Sequence, residues 1–209
     1  GGNVVFQRYV PASGTNNINT NGGAITFQTL IDRSYKTSDI NLNLDAGTGT
    51  ITFGSTVDGT FGGGFLNLIA SAANYVFSSA WGDTTPLGNI SLTSTNSLSL
   101  PTISAASILA RTTAATSDIT LASGRVLTAS GSGNALTLAA GRNFINQAGS
   151  GALVMGGAGR WLVYSANPTD TLGEENLTST FRRYSCAYAS VGTCAASGTL
   201  GTTIAIPGT

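Results

Sequence analysis

The stretch from Pro86 to Ser165 constrains this chain more than any other. Short apolar pairs recur along it: Ile90/Leu92, Leu98/Leu100, Ile108/Ala110, Ile119/Leu121, Leu136/Leu138 and Trp161/Val163, with Val126/Leu127, Phe144/Ile145 and Leu153/Val154 between them. The step from one pair to the next is about 8 to 11 residues, and Ser, Thr, Asn, Gly and Ala fill the gaps. Spacings of i, i+2 or i, i+1 suit short strands and not the i, i+4 face of a helix. A ladder of short strands separated by turn residues predicts a β-solenoid. Two or three strands of about five residues, plus corners, give coils of roughly 20 to 30 residues. Stacked about 4.8 Å apart, such coils would hold Ile, Leu, Val and Phe inside and leave Ser and Thr outside.

Composition narrows the class. Charged residues make up 9% of the 209 positions and the formal net charge is zero, against roughly 25% charged in an average soluble domain. The regular apolar pairs separate the chain from disordered polar sequences, which lack enough apolar surface to offset chain entropy. Nine scattered basic residues form no patch for nucleic acid. No apolar run reaches membrane-spanning length. The opening GGNVVFQRYV shows no basic segment followed by an apolar one, and we expect a processed piece of a longer secreted protein.

The ladder extends back to Ala24–Ile31 (AITFQTLI), and Ile40, Leu42 and Leu44 alternate with Asn41 and Asn43, as in a strand with one buried face. FLNLIA and NYVFSSA read as strands, with the Gly-rich TFGGG as a corner. Asn41, Asn43, Asn67 and Asn74 are expected to stack on Asn of neighbouring coils and satisfy inner amides. Trp81 and Trp161 are expected to pack on the core or a coil end. Asp32, Arg33, Tyr35 and Lys36 read as a solvated loop.

Beyond Ser165 the pairing stops, which divides the chain into coils over 1–165 and an irregular excursion over 166–209, closed by a last short strand, TTIAIPGT. Cys186 and Cys194, the sole cysteines, read as a local disulfide of an oxidising compartment. Closing so short a loop would stabilise the fold by about 2.5 kcal/mol. With no histidine, a zinc site lacks ligands, and no cofactor is expected. Arg182, Arg183, Tyr184 and Tyr188 combine cations and aromatics on this loop, which suits recognition of a glycan or protein. Pairing of the two arginines with Glu174 and Glu175 would instead hold the excursion down. Asn176 begins an Asn-Leu-Thr acceptor pattern for glycosylation. Asp32, Asp39, Asp45, Asp58, Asp83 and Asp118 stand singly and spread out, so no acid–base site of an enzyme gathers.

Two strings carry a family resemblance. FLNLIASAANYVFSSAWGDTTPLGNISLTSTNSL and GNALTLAAGRNFINQAGSGALVMGGAGRWLVYSANPTDTLG resemble modules of filamentous-haemagglutinin-like bacterial exoproteins. In these modules a Thr-Pro-Leu-Gly turn leads into a new strand, and a Gly-Arg-Trp-Leu-Val-Tyr-Ser strand ends the coils. YSCAYASVGTC resembles the small Cys-bounded loop that follows. The resemblance spans about residues 38 to 209. It implies a right-handed parallel β-helix, secreted or displayed at the cell surface, that acts in adhesion to a glycan or protein of a host, neighbouring cell or matrix. The competing expectations are a self-assembling filament, sheath or surface-layer subunit, joined through exposed end-coil edges, and a β-helix enzyme that cleaves polysaccharides.

Overall fold

A computed structural model of the chain describes residues 1–9, 11–29, 37–60, 62–166, 173, 176–178 and 188. Sixteen strands run along these residues. In chain order they are β1 Val4–Phe6, β2 Gly14–Asn19, β3 Ile25–Phe27, β4 Ile40–Asp45, β5 Thr50–Phe53, β6 Leu66–Ala72, β7 Asn74–Phe77 and β8 Leu87–Ser94. Then come β9 Leu98–Ser99, β10 Ile103–Thr112, β11 Ile119–Leu121, β12 Leu127–Ala129, β13 Gly133–Ala139, β14 Phe144–Asn146, β15 Leu153–Met155 and β16 Gly159–Tyr164. Every strand pairing is parallel, and no α-helix occurs among the described residues. The result is a parallel β-solenoid of about six turns.

One face is a long sheet in the order β15-β12-β10-β8-β6-β4-β2, with β13 and β16 continuing from β10. The opposite side is built in two pieces, β1-β3-β5-β7 and β14-β11-β9. Between β7 and β9 the backbone ladder lapses. The Asn96 side-chain amide donates to Asn74 Oδ1 there at 3.0 Å, so a side-chain bond spans the step.

Parity decides what is inside. In β4, Ile40, Leu42 and Leu44 are buried while Asn41 and Asn43 face out. Ile90/Leu92, Leu98/Leu100 and Leu136/Leu138 bury both members, Trp161/Val163 is half-buried, and in β13 the intervening Thr137 and Ala139 are buried too. The i, i+1 pairs split. Phe144 is fully buried and Leu153 is inside, but Val154 faces solvent. Successive strand residues point to opposite faces, so an adjacent pair cannot place both side chains in the core.

Coil length is not constant. Stacked residues are separated by 26 positions from Asn41 to Asn67, 22 from Asn67 to Asn89 and 18 from Asn89 to Ser107, and the separation returns to 26 from Asn134 to Arg160. The spatial register stays strict because corners absorb the difference. Core filling changes along the stack. Phe6, Phe27, Phe53 and Phe77 stack face to face down the early coils, with centroid distances of 5.1, 5.5 and 6.0 Å. Trp81 closes this stack, edge-on to Phe53 and Phe77 at 4.7 and 5.2 Å. In the shorter coils beyond it the interior is Leu98, Leu100, Ala105, Ile108 and Ala110.

The asparagine ladder forms on the outside. Asn43 Nδ2 donates to Asn17 Oδ1 at 2.8 Å and Asn67 Nδ2 to Asn41 Oδ1 at 3.0 Å. Asn67 Oδ1 then accepts the Asn89 backbone N–H at 2.7 Å, and Ser107 Oγ donates to Asn89 Oδ1 at 2.7 Å. Inward positions of these strands are taken by Ile and Leu, so the amides satisfy one another on the outer face and not within the core. Polar groups that are buried serve the corners instead: Ser94 Oγ donates to the Ala73 carbonyl at 3.1 Å and Thr112 Oγ1 to that of Ser117 at 3.0 Å. Buried backbone at a corner needs such partners because it has left the ladder.

The excursion returns to the stack at described points. Leu177 is buried in the main core cluster, and Asn146 Nδ2 donates to the Gly173 carbonyl at 3.1 Å. Asn176 and Thr178 on either side of Leu177 are exposed, so the acceptor pattern lies open. Cys186, Cys194, Arg182, Arg183, Tyr184, Glu174 and Glu175 lie outside the described residues, as do Asp32, Arg33, Tyr35 and Lys36.

Candidate functional site

The fold brings together two acids that look isolated in sequence. Asp58 is 3% exposed, shares a side-chain hydrogen bond with Asp83, and accepts the Thr84 backbone N–H on Oδ1 at 3.2 Å. Burial pushes the Asp58 carboxyl above its usual range, and the neighbouring Asp83 charge pushes the same way. Two carboxyls in direct contact leave no room for a sugar between them, whereas glycosidases need separations of roughly 5 to 10 Å. Among the described residues no three His, Cys, Asp or Glu side chains gather as metal ligands. Asp118 is bound elsewhere: Arg142 Nε donates to its Oδ1 at 2.8 Å, Arg142 Nη2 contacts Oδ2, and the Asn143 backbone N–H donates to Oδ1 at 3.1 Å. The Arg142 guanidinium holds this carboxyl below the usual range.

The two aspartates therefore act on stability with opposite signs. Asp118, lowered, stabilises the fold above the ordinary carboxylate range, and that contribution is lost as pH falls through its folded pKa. Asp58, raised, favours the fold while protonated, and the advantage is lost as pH rises from the unfolded pKa through the folded one. Asp58→Asn keeps the acceptor for Thr84 and adds a donor for Asp83. It should melt above wild type at pH 7, with the two curves converging toward pH 3 in thermal scans. A variant that melts lower at pH 7 would show that the Asp58 charge is needed.

The feature best suited to contact lies on the outer face of the long sheet, at its last coils. Register aligns outward residues there into columns along the solenoid axis. One column runs Asn17, Asn43, Ile69, Ser91, Leu109, Thr137, Leu162. Beside it runs Asn19, Asp45, Ser71, Thr93, Arg111, Ala139, Tyr164. The Asn41, Asn67, Asn89, Ser107 column flanks the other side, followed by Asn134, whose Oδ1 accepts from Arg160 Nε at 2.7 Å. Where the columns reach β10, β13 and β16, a cleft of about 230 Å³ opens. Leu109, Thr137 and Leu162 form its floor, Ser107 and Asn134 one side, and Tyr164 and Tyr188 the other. The two tyrosine rings meet edge to face at 5.4 Å.

The sheet makes this site rigid. Ile108, Leu136, Leu138 and Ala110 point inward from the same strands and are at most 1% exposed. Packing on that side holds the outward side chains in fixed columns, with successive residues of a column about 4.8 Å apart. Among the outward residues of β10, β13 and β16, Arg111 and Arg160 are charged and no carboxylate is present.

Of the recognition residues expected from sequence, Tyr188 stands at this cleft, and the other three lie outside the described residues. Reading the sequence alone missed the rest of the cleft. One signal was legible: Leu109 and Leu162 are apolar at outward parity, each flanked by inward residues. Their alignment was not legible, because it depends on coil lengths that the corners change. Comparison with protein-family models, with curated proteins and with solved structures returns no match to this chain.

Proposed function

We propose that the chain is a rod segment of a large secreted or cell-surface adhesin, of the filamentous-haemagglutinin-like kind its sequence resembles, folded as a right-handed parallel β-helix. Its action is non-catalytic: the stack holds a contact surface away from its anchorage and offers it to a glycan or protein of another cell or matrix. The observation that carries this reading is the parallel ladder of about six turns whose outer columns end in a cleft lined by aromatic, amide, hydroxyl and apolar side chains, with Arg111 in a neighbouring column. Such a surface suits contact better than chemistry, because no spaced acid pair or metal-ligand cluster accompanies it among the described residues. A disulfide between Cys186 and Cys194 belongs to the same proposal, as a clamp on the segment that carries Tyr188.

Beads coated with the purified chain test the reading. They should adhere to cells or matrix above the level of beads coated with heat-unfolded chain, and soluble folded chain should compete. Adhesion no greater than the unfolded control would sink it. Concentration-dependent filaments under the electron microscope, without adhesion, would replace it with a structural filament. Cleavage of a polysaccharide would replace it with an enzyme.

A further inference from the structure

The cleft on the outer face of the long sheet has a chemical bias that narrows its ligand. β10 and β13 have strand partners on both sides, whereas β16 pairs with β13 alone among the described residues. The cleft opens on the outer face of the sheet, which presents side chains and not backbone groups, so recognition there falls to side chains. Down the floor, an apolar residue, a hydroxyl and an apolar residue succeed one another at single-coil steps: Leu109, Thr137, Leu162. A pyranose chain has the matching alternation of C–H faces and hydroxyl groups, and each β-linked ring advances by about as much as one coil. Aromatic rings at the wall supply flat apolar area with a polar edge, and Ser107 and Asn134 supply a hydroxyl and an amide. Arg111 sits on one side of the floor column, in line with Ala139 and Tyr164. Ala139, 4% exposed, stands between Arg111 and Tyr164 in this column. Arg160 lies on the other side, oriented through Nε by Asn134.

We propose that this cleft is a subsite for an acidic oligosaccharide lying along the solenoid axis, with a pyranose ring against Tyr164 and Tyr188 and its carboxylates answered by Arg111 and Arg160. The inference rests on the contact-surface reading above and assigns its ligand class. A neutral glycan would leave both cations without a counterpart, and the outward residues of these strands supply no carboxylate of their own. Guanidinium groups bind carboxylates through charge-assisted hydrogen bonds stronger than neutral ones, so the acid contributes directly to affinity.

Calorimetric titration of the intact chain with β-1,4-linked tetramannuronate, and with its fully methyl-esterified form, tests this. The acid should bind. Esterification, which removes the charge and keeps the rings, should weaken binding about tenfold or more, as expected for losing a charge-assisted bond. Arg111→Ala with Arg160→Ala should give a similar loss for the acid and little change for the ester, while Tyr164→Ala should weaken both. Circular dichroism melts of the variants should stay near wild type, and Arg111→Gln with Arg160→Gln repeats the test with the side-chain stems retained. Equal affinity for acid and ester, no binding of the acid, or indifference to both arginine pairs would overturn the proposal. Bead adhesion measured on the same variants separates the two readings. Adhesion that persists with no acid-dependent glycan binding defeats this inference alone. Acid-dependent binding without adhesion defeats the adhesin reading alone.

Discussion

Trp81→Ala is expected to destabilise the protein by about 4 kcal/mol, in the range for truncating a fully buried aromatic to alanine. Trp81 is fully buried, and its ring meets both Phe53 and Phe77 edge-on. Its backbone is bridged to Val57 on one side and Ile103 on the other. The side chain thus fills the place where the phenylalanine stack ends and an aliphatic interior begins. Backbone bridges to both neighbouring coils keep the walls from closing over the void, and cavity cost grows when collapse is prevented. Chemical denaturation should show the loss directly, and thermal scans should show a fall of roughly 12 °C for a domain of this size. The indole nitrogen adds a second, opposite term. Trp81 Nε1 is buried and meets no acceptor among the described residues, which carries a penalty of its own. Trp81→Phe removes that donor and part of the ring, and should cost about 1 kcal/mol. Equal losses for the two variants would mean that ring volume is not what holds this corner.

Gly49→Ala is expected to cost about 3 kcal/mol for a different reason, overpacking of backbone against backbone. Corners of successive coils meet here. A Cβ at Gly49 would lie 2.3 Å from the Gly23 carbonyl oxygen, and one at Gly23 would lie 2.2 Å from that of Gly2. Neither neighbour is a movable side chain. Gly49 also donates its N–H to the Ala46 carbonyl at 2.7 Å and accepts from Ala73 at 3.0 Å, so shifting it breaks the corner's hydrogen bonds. Gly151→Ala is the control: a Cβ there meets nothing within 4 Å, and the change should fall within about 0.5 kcal/mol. If Gly49→Ala unfolds at the same denaturant concentration as the control, coil corners have slack that these distances do not suggest.

The contrast between these two positions shows what could be read in advance. Trp81 was legible as a core residue from its size and its place beside a strand. Gly49 was legible as a turn glycine from AGTG, but its intolerance was not, because the clash is with Gly23, a residue of another coil. The same holds for the acids. Asp58 and Asp83 stand well apart in the chain, and their contact follows from the coil that returns one above the other.

The cleft repeats the lesson. Leu109, Thr137 and Leu162 form a floor only after each coil has been closed at its own length. A drift of a single position would exchange every inward and outward side chain. The corner that sets this length, like those formed by Thr20, Ser94 and Thr112, is held by hydrogen bonds between side chains and backbone that leave no periodic mark.

By itself the sequence determined that short strands recur, which residues of each face inward, and that chain entropy is opposed by a continuous apolar interior. These follow from local parity, since the pleat of a strand has period two whatever its neighbours are. Tertiary structure alone decided that the ladder's asparagines bond one another from coil to coil, that Asp58 meets Asp83, that Gly49 admits no side chain, and that two tyrosines, two arginines and an apolar–hydroxyl floor share one face. The physical reason is that stacking joins residues from 18 to 28 positions apart according to corner length, and corner length is fixed by packing between coils, not by any repeat written along the chain.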